Sequence, residues 1–405
     1  MPGRHQTKLG SATRFELNNE RNHGTENSDE NSIMIFIKKA LRRVRSYTRK
    51  GLQLLEPLAS LSGFTSALYY LLFSSSFRRE QQAVLKGKIA YRYSLHRPGE
   101  CSYLLRRNVH RLEKALIMEP RRPVFAREYI GETVAAFESA VATIEEHAQS
   151  TELHWARGVL DEYFAVVSAE GDFRIGQARD QYARGVQNLR GLTGGPKPYP
   201  AETLDAKPVT PDQFADLCRV RRSVRWYDGR KVPRDAIDRA LTAAATAPSA
   251  CNRQALRYLI FDEPGLLSRI AAIPMGTRGF SENFPALAVL VGDLGAYFDE
   301  RDRHVIYIDG SLSAMTFMFA LQTQGLASCS INWPDMKDKE AALRNELALE
   351  KNERVIMLIS FGYARAGGGR SRLREETSSS DSILQSDADE LGYLARICPE
   401  AGGAA

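Results

Sequence analysis

Between positions 108 and 118 the chain reads NVHRLEKALIM, with Val109, Leu112 and Leu116 spaced three and four apart. That spacing predicts a helix with one apolar face. The rhythm returns in GETVAAFESAVATIEEHAQ and LHWARGVLDEYFAVVSAEG, so residues 33–190 are expected to be mainly helical. From about 210 to 375 the texture changes. Short apolar runs of strand length, RYLIFD (257–262), ALAVLVGD (286–293) and RVIMLISFGYA (354–364), alternate with helical patterns. Thr210 is placed to cap a helix that opens with Pro211. Residues 308–327 carry no charge after Asp309 and are apolar on most sides, which predicts a buried helix. This order of elements predicts an α+β domain, a mixed sheet flanked by helices, preceded by a mainly helical region.

The breaks in pattern set the expected boundaries. Residues 1–32 are polar without apolar periodicity and read as a disordered tail. Four prolines and three glycines fall within 191–209, a linker signature. Residues 376–405 read as a flexible C-terminal tail. Within the helical region, 33–77 stands apart as basic and amphipathic. Its first part carries Lys38, Lys39, Arg42, Arg43, Arg45, Arg49 and Lys50 with no acid among them, which accounts for more than the whole net charge of +6. Such a block suits an anionic membrane surface or a nucleic acid, and a solvated helix face accounts for it equally. The following PLASLSGFTSALYYLLFSSSF (57–77) is uncharged and long enough to span a bilayer, but seven of its residues are Ser or Thr and Gly63 interrupts it. An in-plane or packed helix is the expectation.

Composition narrows the class. A hydrophobic share of 43% and a charged share of 26% fit a globular chain and exclude wholesale disorder. Five widely separated cysteines, with no CxxC, indicate neither a disulfide framework nor a zinc site. No metal is expected. The polar N-terminus does not read as a secretion signal, so a cytoplasmic chain, with membrane association through 33–77, is expected.

Three short stretches carry candidate chemistry. RRSVR places Arg221, Arg222 and Arg225 around Ser223; arginine forks suit phosphate, and on a helix 221 and 225 would share a face. PSACNRQ brings Pro248, Ser249, Asn252 and Gln254 between two apolar segments, and its amides can both donate and accept. GGGRSRLR adds Arg370 and Arg372 after the last strand. Each also has a plain structural reading: solvated arginines, a surface loop, a basic C-terminal edge. Cys251 and Cys329 lie beside these motifs, and small packing residues are the simpler reading of both. His110 and Glu113, one helical turn apart, could hold a metal or substrate, but pairing within a bundle is the stronger reading.

Together, in this order, the stretches RRSVRWYDGRKVPRDAIDRALTAAATAPSACNRQ, IDGSLSAMTFMFALQTQGLASCSINW and LISFGYARAGGGRSRL resemble the nitroreductase family of FMN-dependent oxidoreductases. The resemblance covers about 160 residues, essentially the whole second domain. It implies that Arg221, Ser223 and Arg225, with Arg222 in the same cluster, meet the flavin phosphate and ring carbonyl. Arg370 and Arg372 would make a late phosphate contact. Asn252 and Gln254, with Pro248 and Ser249, would line the flavin, and the turn SINW, with Ile331 and Asn332, would approach its ring near N5. It implies an intertwined homodimer with both subunits building each site, the helix 308–327 buried between them. It also implies ping-pong hydride transfer from NADH or NADPH through FMN to a nitroaromatic, a quinone or another small metabolite. No catalytic side chain is required, and a nucleic-acid partner is not implied. A flavin-binding accessory protein in envelope polysaccharide assembly is the alternative. The segment NVHRLEKALIMEPRRPVF looks like that of a subgroup associated with surface-polysaccharide genes. The chain departs from the family at Ala255, at Gly362-Tyr363-Ala364, and at Asp309-Gly310-Ser311, where many members have Gln-Asn.

Overall fold

The computed structural model describes residues 51–95, 102–143, 150–168, 172–187, 195–199, 209–367, 387–389 and 392–394. The expected tail 1–32, the basic run 38–50, Arg370 and Arg372 lie outside these residues. By compactness the chain forms two units, Met1–Arg78 and Arg79–Ala405.

In the first unit the uncharged stretch is two helices, α1 (Glu56–Ala59) and α2 (Gly63–Leu72). Pro57 opens α1, and Ser62 ends the break between them by capping α2 in a reciprocal box with Thr65. Neither helix has a buried residue.

The second unit begins with α3 (Arg78–Ser94) and a bundle of α4 (Tyr103–Leu116), α5 (Ile130–Thr143), α6 (Thr151–Val166) and α7 (Phe173–Gln187). The three-four spacing read in the sequence is the buried seam of this bundle. Leu105, Val109, Leu112 and Leu116 of α4 pack with Val134 and Phe137 of α5 and Leu153, Val159 and Leu160 of α6. Glu113 belongs to this packing: its Oε1 accepts from Trp155 Nε1 at 2.7 Å, while Oε2 lies 3.6 Å from His110 Nδ1. The pair is structural.

The α+β part follows, from α8 (Pro211–Val220) and α9 (Arg234–Ala245) to β1 (Leu256–Phe261) and α10 (Pro264–Ala271). It continues through β2 (Ala286–Asp293), α11 (Val305–Thr323), β3 (Ala327–Asn332), α12 (Lys337–Leu347) and β4 (Glu353–Gly362). Thr210 caps α8 as expected, accepting from Gln213 N. The sheet order is β1-β2-β4-β3 and every pairing is antiparallel, where a mixed sheet was expected. The reason is topological. β2 and β3 run the same way, joined by α11, but β4 enters between them and pairs antiparallel with both. Among the described residues parallel pairing is confined to one bridge, Ser223 with Ser328.

Alternate residues of β2 face opposite layers. Ala286, Ala288 and Leu290 pack on α9 and α11 with Ile237, Phe317 and Leu321. Leu287, Val289 and Val291 pack toward Leu267 and Ile270 of α10 and Leu343 of α12. Covering both faces explains why this strand reads as a continuous apolar run.

Helices α3 and α4 pack on the end of β2 and the chain beyond it. Ala83 shares a buried cluster with Leu294, Ala296, Tyr297 and Ile306. Gly87 is there because a Cβ at that position would lie 2.6 Å from the Leu294 carbonyl oxygen. Tyr103 Oη donates to Asp293 Oδ2 at 3.1 Å, and Lys88 pairs with Glu300.

Candidate active site

Helix α8 stops at Val220, and Arg221 is its C-cap in extended conformation. The cluster RRSVR is therefore not helical, as the sequence suggested. Its backbone pairs with β3, Val224 N donating to Ser328 O at 3.0 Å, because β3 is an edge strand whose outer hydrogen-bonding groups need partners. In extended chain the shared side falls to alternate residues. Arg221 and Ser223 are half-buried and Arg225 is exposed, while Arg222 and Val224 are buried. Arg222 turns onto the backbone, Nη1 donating to Cys218 O at 3.1 Å and Arg221 O at 2.9 Å, which sets it apart from the other two arginines.

Those two are short of partners. Arg221 Nε is buried without a hydrogen bond, and among the described residues neither Arg221 nor Arg225 has an acidic partner. The Arg225 guanidinium sits 5.9 Å from the centre of the Phe280 ring. Cys329 lies beneath them at 2% exposure. Burial pushes its thiol pKa up, against the opposing pull of Arg225, the Ser223 hydroxyl and Arg221. It is held as a thiol, consistent with packing. The segment read as a turn, 330–333, is mostly strand β3, with Ser330 and Asn332 exposed and Ile331 buried between them.

The second half of the candidate site is the loop between α9 and β1. Pro248 is exposed, Ser249 half-buried, and Ala250–Asn252 form one tight turn. Cys251, Asn252 and Gln254 have φ of 55°, 49° and 51°. Each left-handed non-glycine residue costs on the order of 1–3 kcal/mol, so the surroundings must hold the loop. They do so from three directions. Asp309 Oδ2, on α11, accepts from Ala250 N at 3.0 Å. Ser249 Oγ accepts from Gln254 N at 3.1 Å. From the helical bundle, Arg106 Nη1 donates to Asn252 O at 3.1 Å and to Gln254 Oε1 at 3.0 Å, and its Nε lies 3.2 Å from buried Glu152.

Gln254 is thereby engaged at both ends, since its Nε2 also donates to Ala245 O at 3.2 Å. The Asn252 side chain makes no hydrogen bond among the described residues and is the loop's open amide. Arg253 is buried, 5.0 Å over the Tyr297 ring. Burial raises the pKa of Asp309, opposed by the Ala250 N–H, Arg253 and Tyr297. Beside the loop is a cavity of about 340 Å3 lined by Pro248, Ser249, Gln254, Tyr258, Asp309 and Ser313. Asp309 had a signal in the sequence as a departure from family pattern; Arg106, 146 positions before Asn252, had none.

The two halves do not meet within one chain. Leu256 pairs across β2 to the level of Arg354, at one end of β4, whereas Ser223 bridges to Ser328, opposite Phe361 at the other. Seven residues along β4 and four strand spacings across the sheet separate them by roughly 30 Å.

Residues 218–278 and 274–363 match the nitroreductase family model. A Bacillus subtilis protein bearing the name NAD(P)H nitroreductase is 25% identical over 197 residues, 40% of this chain and 92% of that one. A CLA biosynthesis enone reductase of Lactiplantibacillus plantarum is 30% identical over 115 residues, 26% of this chain and 51% of its own length. Iodotyrosine deiodinase 1 of Sus scrofa is 24% identical over 179 residues, 37% of this chain and 61% of the relative. The chain thus spans only half to three-fifths of the latter two. A solved FMN-dependent nitroreductase from Clostridium difficile R20291 is 24% identical, with 41% of this chain and 92% of that one covered and a TM-score of 0.33. The stretch that carries both halves of the candidate site is the part of the chain that matches the nitroreductase family model.

Proposed function

We propose that this chain is an FMN-dependent NAD(P)H oxidoreductase working as a homodimer, each site assembled from both copies. The observation that carries the reading is the side of the chain shared by Arg221, Ser223 and Arg225. There, two arginines without acidic partners among the described residues, one with a buried unpartnered Nε, flank a hydroxyl. Such a set fits a phosphate dianion. When bound, FMN supplies the redox chemistry, taking a hydride from NADH or NADPH and passing electrons to a nitroaromatic, a quinone or another small acceptor.

The chain's own part is binding and orientation. Arg221 and Arg225 neutralise the phosphate and Ser223 adds a donor. Asn252 offers an amide to the ring edge, Gln254 stiffens the loop that presents it, and Pro248 and Ser249 border the adjoining cavity. Ile331 and Asn332 would supply the strand edge that approaches the ring near N5, and Arg370 and Arg372 would add a further phosphate contact on sequence grounds. No acid or base is assigned, because hydride transfer needs none.

The separation of roughly 30 Å supports the dimer: one flavin nucleotide is too short to touch both halves of a single copy. A groove of about 1050 Å3 along α11, lined by Phe214, Tyr307, Ile308, Leu312, Met315 and Phe319, gives the second copy an apolar seat. Ile308 is 59% exposed in the single chain. The surface-polysaccharide subgroup belongs to this reading through the sequence resemblance of 108–125, and a cytoplasmic location through the five scattered cysteines, which suit a reducing compartment.

The test is direct. The purified chain is expected to be yellow, to sediment as a dimer, and to bleach under anaerobic NADH or NADPH. Flavin retained but not reduced by either nucleotide refutes the enzyme. A colourless protein that FMN does not reconstitute refutes flavin binding altogether.

A further inference from the structure

We infer that residues 51–77 are a membrane-inserting helical hairpin that seats the protein on an anionic phospholipid surface. The apolar surface comes first. No residue of α1 or α2 is buried, and Leu54, Leu58, Leu61, Phe64, Leu71 and Leu72 are all exposed, Phe64 at 78%. No charged residue lies between Glu56 and Arg78. Exposed apolar side chains in this number are costly to leave in water.

A second observation fits lipid. The turn between the helices satisfies its own backbone with hydroxyls. Ser60 Oγ donates to Pro57 O at 2.8 Å, and Thr65 Oγ1 and Ser66 Oγ both donate to Ala59 O, at 2.9 and 2.8 Å. Ser62 N donates back to Thr65 Oγ1 at 3.1 Å. At the far end, Arg78 Nη2 closes α2 by donating to Leu71 O at 2.8 Å. Such bonds also close helix ends in water, as the Thr210 box does for α8; in lipid they become obligatory. In a hydrocarbon environment each unsatisfied group costs several kcal/mol.

Length decides how the hairpin sits. The ten residues of α2 span about 15 Å, half of a hydrocarbon core of about 30 Å, so the hairpin enters one leaflet and does not cross. Its aromatic end suits the headgroup level, where amphipathic rings gather. Tyr70 and Phe77 meet edge to face at 4.5 Å, and Tyr69 packs on both Tyr70 and Phe73. The charge is complementary. Seven lysines and arginines stand between positions 38 and 50, directly before the hairpin, and Arg78 follows it. Near an anionic surface each adds to the attraction, in a salt-sensitive way.

The full chain is mixed with vesicles of phosphatidylcholine alone or with phosphatidylglycerol, and bound protein is sedimented. Binding to the anionic vesicles is expected, weaker on neutral ones and reduced by salt. The variant Phe64→Glu/Leu68→Glu/Leu71→Glu should keep its melting temperature and lose at least about tenfold in vesicle partitioning, given about 0.8 kcal/mol per buried methylene. Phe64→Trp should gain blue-shifted emission over the wild type that brominated phosphatidylcholine quenches. Wild-type protein that stays in the supernatant with anionic vesicles overturns the inference, as does a tryptophan at 64 that brominated lipid does not quench. A triple variant that binds vesicles normally but loses self-association shows that a second copy covers the face, and also overturns it.

Discussion

Arg106→Met tests whether the helical bundle sets the geometry of the loop before β1. The substitution keeps most of the apolar stem and removes the donors to Asn252 O and Gln254 Oε1. Hydrogen bonds to a charged group are worth about 1.5–3 kcal/mol. Against them stands the strain of Cys251, Asn252 and Gln254, a few kcal/mol in total at about 1–3 kcal/mol each. The bonds from Asp309 and Ser249 remain, so the loop should loosen rather than unfold. If Arg106 contributes about 1.5–3 kcal/mol to holding the bound geometry, the Kd for FMN should rise about ten- to a hundredfold. Because Arg106 also faces buried Glu152, removing it alone leaves that charge without its arginine, which costs stability for another reason. The comparison is therefore Arg106→Met/Glu152→Gln against Glu152→Gln. FMN affinity is read by quenching of flavin fluorescence, and amide exchange across 249–255 gives a readout independent of flavin. Faster exchange confined to that loop, with weaker FMN binding, is the expected pair of results. Equal exchange and equal affinity in the two chains would refute the reasoning.

Other substitutions separate neighbouring roles. Arg221→Ala should weaken FMN binding by about 1.5–3 kcal/mol in a salt-sensitive manner, whereas Arg222→Ala should lower the melting temperature and leave FMN affinity near wild type; equal losses of affinity would remove the distinction. Asp309 has a raised pKa in the folded state, so the stability it contributes is full below the ordinary carboxylate value and is lost as pH rises through the raised one. Asp309→Asn, which keeps an acceptor for Ala250 N–H, should match wild type in acid and gain on it toward neutrality, read as melting temperature against pH; parallel curves would contradict this. Gly87→Ala drives a methyl into the Leu294 carbonyl and should cost about 1–3 kcal/mol in denaturant unfolding. Gly176→Ala in α7, with open space at its Cβ, should stabilise by up to about 1 kcal/mol.

Much of the fold was legible because burial imposes periods. The seam of α4 and the two-faced burial of β2 both stand in the sequence as spacing. What local pattern does not carry is the state of a neighbour. RRSVR has residues four apart that suit a helix face, and nothing nearby says that an unpaired edge of β3 will draw Val224 into extended chain. The edge strand itself was missed for a related reason: SINW is short, polar at alternate positions, and reads as a turn until β4 pairs with it. Its place between β2 and β3 likewise turns a mixed sheet into an antiparallel one. Asp309 could be noticed as an unexpected acid on an apolar helix. Arg106 could not, because its role exists only once the bundle packs against a loop far along the chain.

The opposed placement of the two half-sites bears on inheritance as much as on chemistry. In a homodimer of this design, a defect at Arg221 and a defect at Asn252 fall in different halves of the same composite site. Pairing one chain of each kind puts both defects into one site and leaves the other whole. Two alleles that are each inactive alone would then restore one site in every mixed dimer, about a quarter of all sites when the chains pair at random, while two alleles damaged in the same half would restore none.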